Sequence, residues 1–414
     1  MTLIPVAWQL ERASEMSLPA LRPPNKMNLQ KRIFASLPLL AIAKSHGQDI
    51  LRYRFQYYDE EDGRIDVEAH YLDYKHTFDT GTTLGVRYAI DSLSGETPVG
   101  THAPLDDTDW NFQEIDDRRK AFALTVEQEL DDYILSFEYA HSKESDYVSD
   151  SVALRLSRDL FDKNTTLTGG VSFAADTVLA TPFTIIDNDR DKDSFDLSFG
   201  LSQILGPNTV VDFNVGYGHS KGYLADAYRQ ISQTSTIIVS TPFGEFPVTD
   251  TFDYPENRPD SIDRWVAKAA VKHYVEPLHG AFHGSYRFFA NSDSLIGHTI
   301  ELKWVQEVGD KVSVSPFFRY YIQSEADFYH ATLTDTGIDG HGRNDGDGPY
   351  YSSDYRLSAM EAFTYGVSVS YSPVEDLTLD LQLERYEMSG RDSATPDIFF
   401  PSATILSLGA QWSF

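Results

Sequence analysis

The sequence predicts an all-β protein: a transmembrane antiparallel up-and-down β-barrel of about 16 strands, with short periplasmic turns and long extracellular loops. Three observations predict it. Ten-residue segments alternate apolar with polar residues along nearly the whole chain. The connections between them alternate between tight turns and long segments. The chain ends on an alternating strand whose last residue is Phe414.

The alternation is regular. Leu84, Val86, Tyr88 and Ile90 interleave with Gly85, Arg87 and Ala89, and Tyr133, Leu135, Phe137 and Tyr139 with Ile134, Ser136 and Glu138. The same pattern runs through Phe195 to Leu201, Val211 to Tyr217, Phe363 to Tyr371 and Leu377 to Leu383. A period of two places one apolar and one polar face on each strand. Strands are expected near 50–59, 65–78, 82–91, 120–130, 133–142, 147–159, 164–175 and 193–205. The series continues near 209–221, 263–275, 280–291, 297–308, 311–326, 358–372, 376–389 and 402–414.

Tight turns are expected at Asp131-Asp132, Gly206 to Asn208, Gly309-Asp310 and similar places, with long segments at 92–119, 176–192, 222–262, 327–357 and 390–401. A soluble sandwich has no reason to gather its long loops at one end, whereas an outer-membrane barrel does. An even strand number returns the C-terminus to the side of the short turns. The last strand, 402–414, ends over 406–414 with Trp412 and Phe414 at alternate positions, the pattern of a membrane-insertion signal in bacterial outer-membrane proteins. Tyr53, Tyr57, Tyr133, Tyr139, Trp265, Trp304, Tyr371 and Trp412 suit two interfacial girdles.

Composition narrows the function. The 414 residues carry 34 basic and 63 acidic side chains, for a net charge of −29, which repels nucleic acid. There is no cysteine, hence no thiolate nucleophile, disulfide or cysteine-bound metal. No apolar run is long enough for a transmembrane helix. From Met27 the chain reads as a secretory signal peptide: Lys31 and Arg32, an apolar stretch from Ile33 to Ala43, then small residues. The expected division is therefore a non-native extension at 1–26, a signal peptide at 27–47 and an outer-membrane barrel at 48–414. The alternative for the first stretch is a buried N-terminal helix.

Three segments carry a resemblance: Tyr57-Tyr58-Asp59-Glu60-Glu61-Asp62-Gly63-Arg64, Asp91-Ser92-Leu93-Ser94-Gly95-Glu96-Thr97-Pro98 and Tyr350-Tyr351-Ser352-Ser353-Asp354-Tyr355-Arg356-Leu357-Ser358. With these the chain resembles a bacterial outer-membrane β-barrel family of unknown function, domain of unknown function family 3570. The resemblance implies a location and a shape but no mechanism.

With the apolar residues facing lipid, the lumen receives Arg87, Arg155, Lys268, Arg287, Lys303, Arg319, Glu68, Glu138, Asp196, Asp212, Glu301 and Asp380, with Arg52, Arg54, Lys272 and Asp66 among their neighbours. Mixed charge of this kind lines a water-filled channel or pairs internally to fill the barrel. Loop 222–262 holds a mostly uncharged core at 231–248, which either folds inward to constrict the pore or stands above the membrane as a hairpin. Asp187, Asp189 and Asp191, and separately Asp345 and Asp347, offer oxygen ligands at alternate positions for calcium, although neither matches an EF-hand and a solvated loop explains them as well. No G-x-S-x-G or H-E-x-x-H motif occurs, so no catalytic residue is assigned and no enzyme is expected.

The expected function is a pore or transport component for small solutes, or part of an export or uptake assembly, in the bacterial outer membrane. The alternatives are a non-conducting barrel with a plugged lumen that serves structure or surface interaction, and a barrel-embedded hydrolase. The expected partners are outer-membrane lipid and lipopolysaccharide, the barrel assembly machinery, and a second copy or a periplasmic protein.

Overall fold

The computed structural model of the protein describes residues 48–102, 110–342 and 345–414. The expected signal peptide and the extension before it lie outside the described residues. Among the described residues there are eighteen strands: β1 (Gln48–Glu60), β2 (Asp66–Thr77), β3 (Thr82–His102), β4 (Trp110–Leu130), β5 (Tyr133–Lys143), β6 (Tyr147–Leu160), β7 (Thr165–Val178), β8 (Arg190–Gly206), β9 (Thr209–Gly222), β10 (Gln230–Thr241), β11 (Gly244–Pro255), β12 (Ser261–Val275), β13 (Gly280–Asn291), β14 (Ile296–Val308), β15 (Val312–Gln323), β16 (Met360–Val374), β17 (Leu377–Gly390) and β18 (Ser402–Ser413). Sixteen of them close an antiparallel barrel, in which each strand neighbours the next, β9 pairs with β12 and β18 pairs with β1. Closure removes every free edge from the wall. At the seam, Asp49 and Phe414 exchange both backbone hydrogen bonds at 2.9 Å.

The remaining two strands, β10 and β11, form a separate hairpin. It is the standing-hairpin form of loop 222–262: from Ser235 to Phe252 both strands are almost entirely exposed, and Phe243 at the tip is 92% exposed. A second difference lies at 92–119, expected as a loop. There β3 and β4 continue in register from Leu93↔Asp117 to Pro98↔Phe112 and rise above their neighbours as a ribbon. Gly95 sustains this close approach, because a side chain there would meet the Arg64 carbonyl at 2.2 Å.

Register assigns each residue to a face. Val86 opposes Leu124, which opposes Tyr139, and all three point outward with Phe137, Leu154, Phe199, Leu302, Val367 and Leu381. Among the described residues, none packs over this outward apolar band. It ends at a row of tyrosines towards the long loops, whose hydroxyls donate to carboxylates: Tyr139 to Asp150 at 2.6 Å, Tyr217 to Asp263 at 2.6 Å, Tyr320 to Glu361 at 2.7 Å and Tyr365 to Glu387 at 3.2 Å. Towards the short turns it ends at Trp304, Tyr371 and Trp412. Aromatic rings with one wet edge belong at such boundaries.

Among the described residues, the large buried apolar clusters do not lie in the middle of the wall. Apolar packing gathers instead at the long-loop end. Tyr58, Ile65, Val67, Ala69, Ala403 and Ile405 form one cluster, Tyr355, Met360, Phe399 and Phe400 a second, and Ile231, Leu333 and Tyr351 a third.

Candidate functional site: a capped, charged lumen

At the long-loop end, the connections leave the wall and meet over the mouth. The centre is ionic and buried. Arg258, in the connection between β11 and β12, places its Nε 2.7 Å from Glu256 Oε1 and donates through Nη2 to Asp354 Oδ2 at 2.9 Å. Asp354 lies in the connection between β15 and β16. Arg356 donates to Asp354 Oδ2 at 2.6 Å and reaches back to Asp226 Oδ2 at 2.9 Å. Glu256 also accepts from the Asp226 backbone N–H and from the Ser352 hydroxyl. Burial raises the Glu256 carboxyl, and Arg258 offsets only part of that rise. Burial acts on Asp354 in the same direction, but Arg356, Arg229 and Arg258 outweigh it and hold that carboxyl well below the usual range.

Further contacts tie this centre to the barrel on several sides. Arg229 donates to the Pro98 carbonyl on the β3 ribbon, and its guanidinium lies 5.5 Å from the Tyr355 ring centroid. The Ser353 hydroxyl donates to the Gln230 carbonyl at 2.6 Å. Tyr355 packs edge-on against Phe400 in the β17–β18 connection, and Arg64 of the β1–β2 turn donates to the Ile398 carbonyl at 2.9 Å. Tyr228 donates to Asp146 in the β5–β6 connection at 2.5 Å. Glu256, Asn257, Ser352, Ser353 and Tyr351 are fully buried by these contacts. The β3–β4 ribbon and the β15–β16 connection arise from well-separated parts of the wall, so their meeting bridges the mouth.

Beneath this cap the lumen stays polar and partly open. A cavity of about 580 Å³ is lined by Arg52, Arg87, Glu127, Glu138, Arg155 and Asp196, among others. Arg87 pairs with Glu138, Arg52 with Asp73 at 3.3 Å, and Arg319 with Glu301 at 3.5 Å. Lys268 lies 3.9 Å from the same Glu301, and Asp196 lies 3.9 Å from Arg264. Register also places Arg287, Lys303, Asp212 and Asp380 on the inner face.

Glu68 requires a correction. It opposes Tyr57 and Ser92, which share a face with Leu84 and Val86, so it points outward together with Asp66. The reason is local. At the upper end of β2 the small apolar residues Val67 and Ala69 turn inward to pack under the cap, so the polar partners of the alternation turn outward, above the apolar band.

The expected calcium ligands make local contacts. Asp189 Oδ1 accepts from the Ala180 backbone N–H at 2.8 Å, and Asp191 Oδ1 accepts from the Thr177 hydroxyl at 3.1 Å. Asp345 Oδ1 accepts from the Asp347 backbone N–H at 3.3 Å, while the Asp347 carbonyl accepts from Asn257 at 2.5 Å. Asp187 is not among the carboxylates that cluster. Among the described residues, the carboxylates gathered within 4.8 Å of one another are Asp117, Glu144 and Asp146. The expected insertion-signal residues sit at the seam: Trp412 points outward, 45% exposed, with its ring 4.6 Å from that of Phe414.

The family model described as Protein of unknown function (DUF3570) matches residues 33–397. The chain belongs to this family. The three segments that carry the sequence resemblance, 57–64, 91–98 and 350–358, all fall at the capped end. The last supplies its buried centre and the other two its rim. A comparison with curated proteins finds no match. Among solved structures, the chain is similar to CdiB from Acinetobacter baumannii, at 11% identity and a TM-score of 0.49, covering 88% of this chain and 60% of that one. It is similar to a bacterial polysaccharide outer membrane secretin, at 10% identity and a TM-score of 0.48, covering 90% of this chain and 100% of that one. It is also similar to OprB of Pseudomonas putida, at 9% identity and a TM-score of 0.44, covering 89% of this chain and 94% of that one.

Proposed function

We propose that this protein is a transport barrel of the bacterial outer membrane whose external mouth is closed at rest by its own loops. The reading rests on the outward apolar band for its location and on the cap for its state. A band bounded by hydrogen-bonded tyrosines on one side and by tryptophan and tyrosine on the other is the surface a barrel presents to lipid. With the band in a membrane, the short turns face the periplasm and the cap faces outward, consistent with the secretory signal expected at 27–47.

The observation that carries the transport reading is a charged cavity beneath a bridged mouth. A barrel filled for rigidity alone would spend its lumen on close packing. Here about 580 Å³ is left open among side chains of both signs. The cap closes the route by buried ion pairs and side-chain contacts between long connections and the β3–β4 ribbon, not by barrel ladder, so it can be displaced.

Planar-bilayer recording tests the proposal. Intact protein should be silent or open rarely, and the variant Asp226→Asn/Asp354→Asn should give discrete conductance steps. Steady large steps from the intact protein would show that the loops do not close the mouth. Silence from both proteins, each folded, would overturn the transport role and favour a surface-interaction barrel. The exposed hairpin β10–β11 is the feature that would then call for a partner.

A further inference from the structure

We propose that the wall formed by β12 to β15 holds a phosphate-class oxyanion near the short-turn end of the lumen, at Lys272, His283 and Lys303. The proposal rests on the transport reading for its biological sense, since it names the class of solute, but the site itself stands on register.

Lys272 pairs with His283, and His283 with Lys303, so three adjacent strands place three basic groups in one row on the inner face. Neighbouring strands are about 4.8 Å apart, so the two lysines sit about 10 Å apart with the imidazole between them. Like charges facing one another across neighbouring strands are destabilising, and an anion held between these basic groups relieves that cost. Among the described residues, no carboxylate forms an ion pair with any of the three. This contrasts with Arg52, Arg87, Arg264 and Arg319, each of which has an acidic partner.

The surroundings strengthen the bias. On the inner face of the same four strands stand Arg264, Lys268, Arg287 and Arg319, against the carboxylates Glu301 and Glu307. Glu301 is engaged by Arg319 and Lys268, and Glu307 accepts from the Tyr274 hydroxyl at 3.2 Å. The groups that face His283 are therefore Lys272 and Lys303 on its flanks, and Ser285 with Glu301 one row higher. Asp212 lies diagonally beyond Lys272. In a protein of net charge −29, this row is a local concentration of the opposite sign. Two flexible ammonium groups around an imidazole suit an oxyanion with charge at both ends, such as a diphosphate. The row lies at the end of the lumen away from the cap, so a solute reaches it from the periplasm while the outer mouth is closed.

Histidine side-chain NMR of the mature protein in detergent tests this, with the His283 resonance assigned by its loss in His283→Gln. Inorganic pyrophosphate should raise the His283 titration midpoint saturably and by more than sodium chloride at equal ionic strength. The excess should vanish in Lys272→Gln/Lys303→Gln, whose fold is checked by heat-modifiable gel mobility. Equal shifts with both salts, or an excess that survives the double variant, would overturn the site. Because the readout is binding, it separates from the transport reading. A barrel that conducts without this shift loses the site alone, and one that shows the shift but never conducts keeps the site and loses the transport role.

Discussion

Arg258 and Asp354 meet at 2.9 Å although 96 residues and four barrel strands separate them in the chain. Their pairing joins the two longest connections at the capped end. Both side chains are buried, so the pair is screened little by salt, and removal of one partner strands the other charge. Losing one member of such a pair costs about 3–5 kcal/mol.

Arg258→Ala should therefore release the cap while sparing the wall, whose ladders do not use it. The expected result is faster proteolysis within 324–359 and 223–260, with unchanged heat-modifiable mobility of the barrel. Arg258→Lys should rescue only in part, because one ammonium cannot serve Glu256 and Asp354 with the same fork. Wild-type cleavage kinetics in Arg258→Ala would mean the cap is held elsewhere.

Much of the wall was legible in the sequence. Phe363 to Tyr371 and Leu377 to Leu383 read correctly because each face of those strands meets a single environment, and the period of two records it. β2 was legible as a strand, but the facing of its upper end was not, because Val67 and Ala69 pack inward under the cap and Glu68 turns outward. The cap was illegible for a different reason. Its contacts join residues far apart in sequence, as from Arg229 to Pro98 across 131 positions, and no local period records such a meeting. The one available signal was composition: Ser352-Ser353-Asp354-Tyr355-Arg356 combines paired charge with an aromatic ring, an expensive mixture for a solvated loop. The basic row at Lys272, His283 and Lys303 needed register, which the sequence does not state.

The orientation of the barrel is open to direct labelling, since the chain contains no cysteine. Phe243→Cys at the hairpin tip, 92% exposed, should react with an impermeant thiol reagent in intact cells. Asp310→Cys in the β14–β15 turn should react only after the outer membrane is opened. The reverse pattern would invert the barrel and place the cap in the periplasm.

The carboxylate cluster at the β5–β6 connection predicts a pH effect. Burial pushes the Glu144 carboxyl up to about 8; Arg119 lowers it, while Asp146 and Asp117 add to the rise. The ordinary unfolded value is about 4.3. A folded value above the unfolded one means that the contribution to stability is complete below about 4.3 and is lost as pH rises through about 8. The connection 144–146 should loosen over that window, seen as faster amide hydrogen exchange than the intrinsic pH dependence accounts for, at Leu179, which donates to the Asp146 carbonyl at 2.7 Å. Glu144→Gln should remove the pH dependence, and a dependence that persists in the variant would assign it to another group.

The placement of the wall in lipid makes a paired prediction at two adjacent residues. Val367 opposes Leu383 and Pro316 and is 39% exposed on the outward face, within the apolar band. Ser368 opposes Gln382 and Ser315 on the inner face. A charge on the lipid side near the midplane costs a barrel about 2–4 kcal/mol, while a lumen substitution mainly tunes selectivity. Val367→Arg should impair insertion or folding, read as loss of heat-modifiable mobility, and Ser368→Arg should fold. The polar neighbours of Ser368 can receive a guanidinium; the aliphatic neighbours of Val367 cannot. Exchange of the two results would mean a one-residue slip in register, since the side-chain period is two. Equal tolerance of both would mean that the outward band does not contact lipid, and the outer-membrane assignment would fall with it.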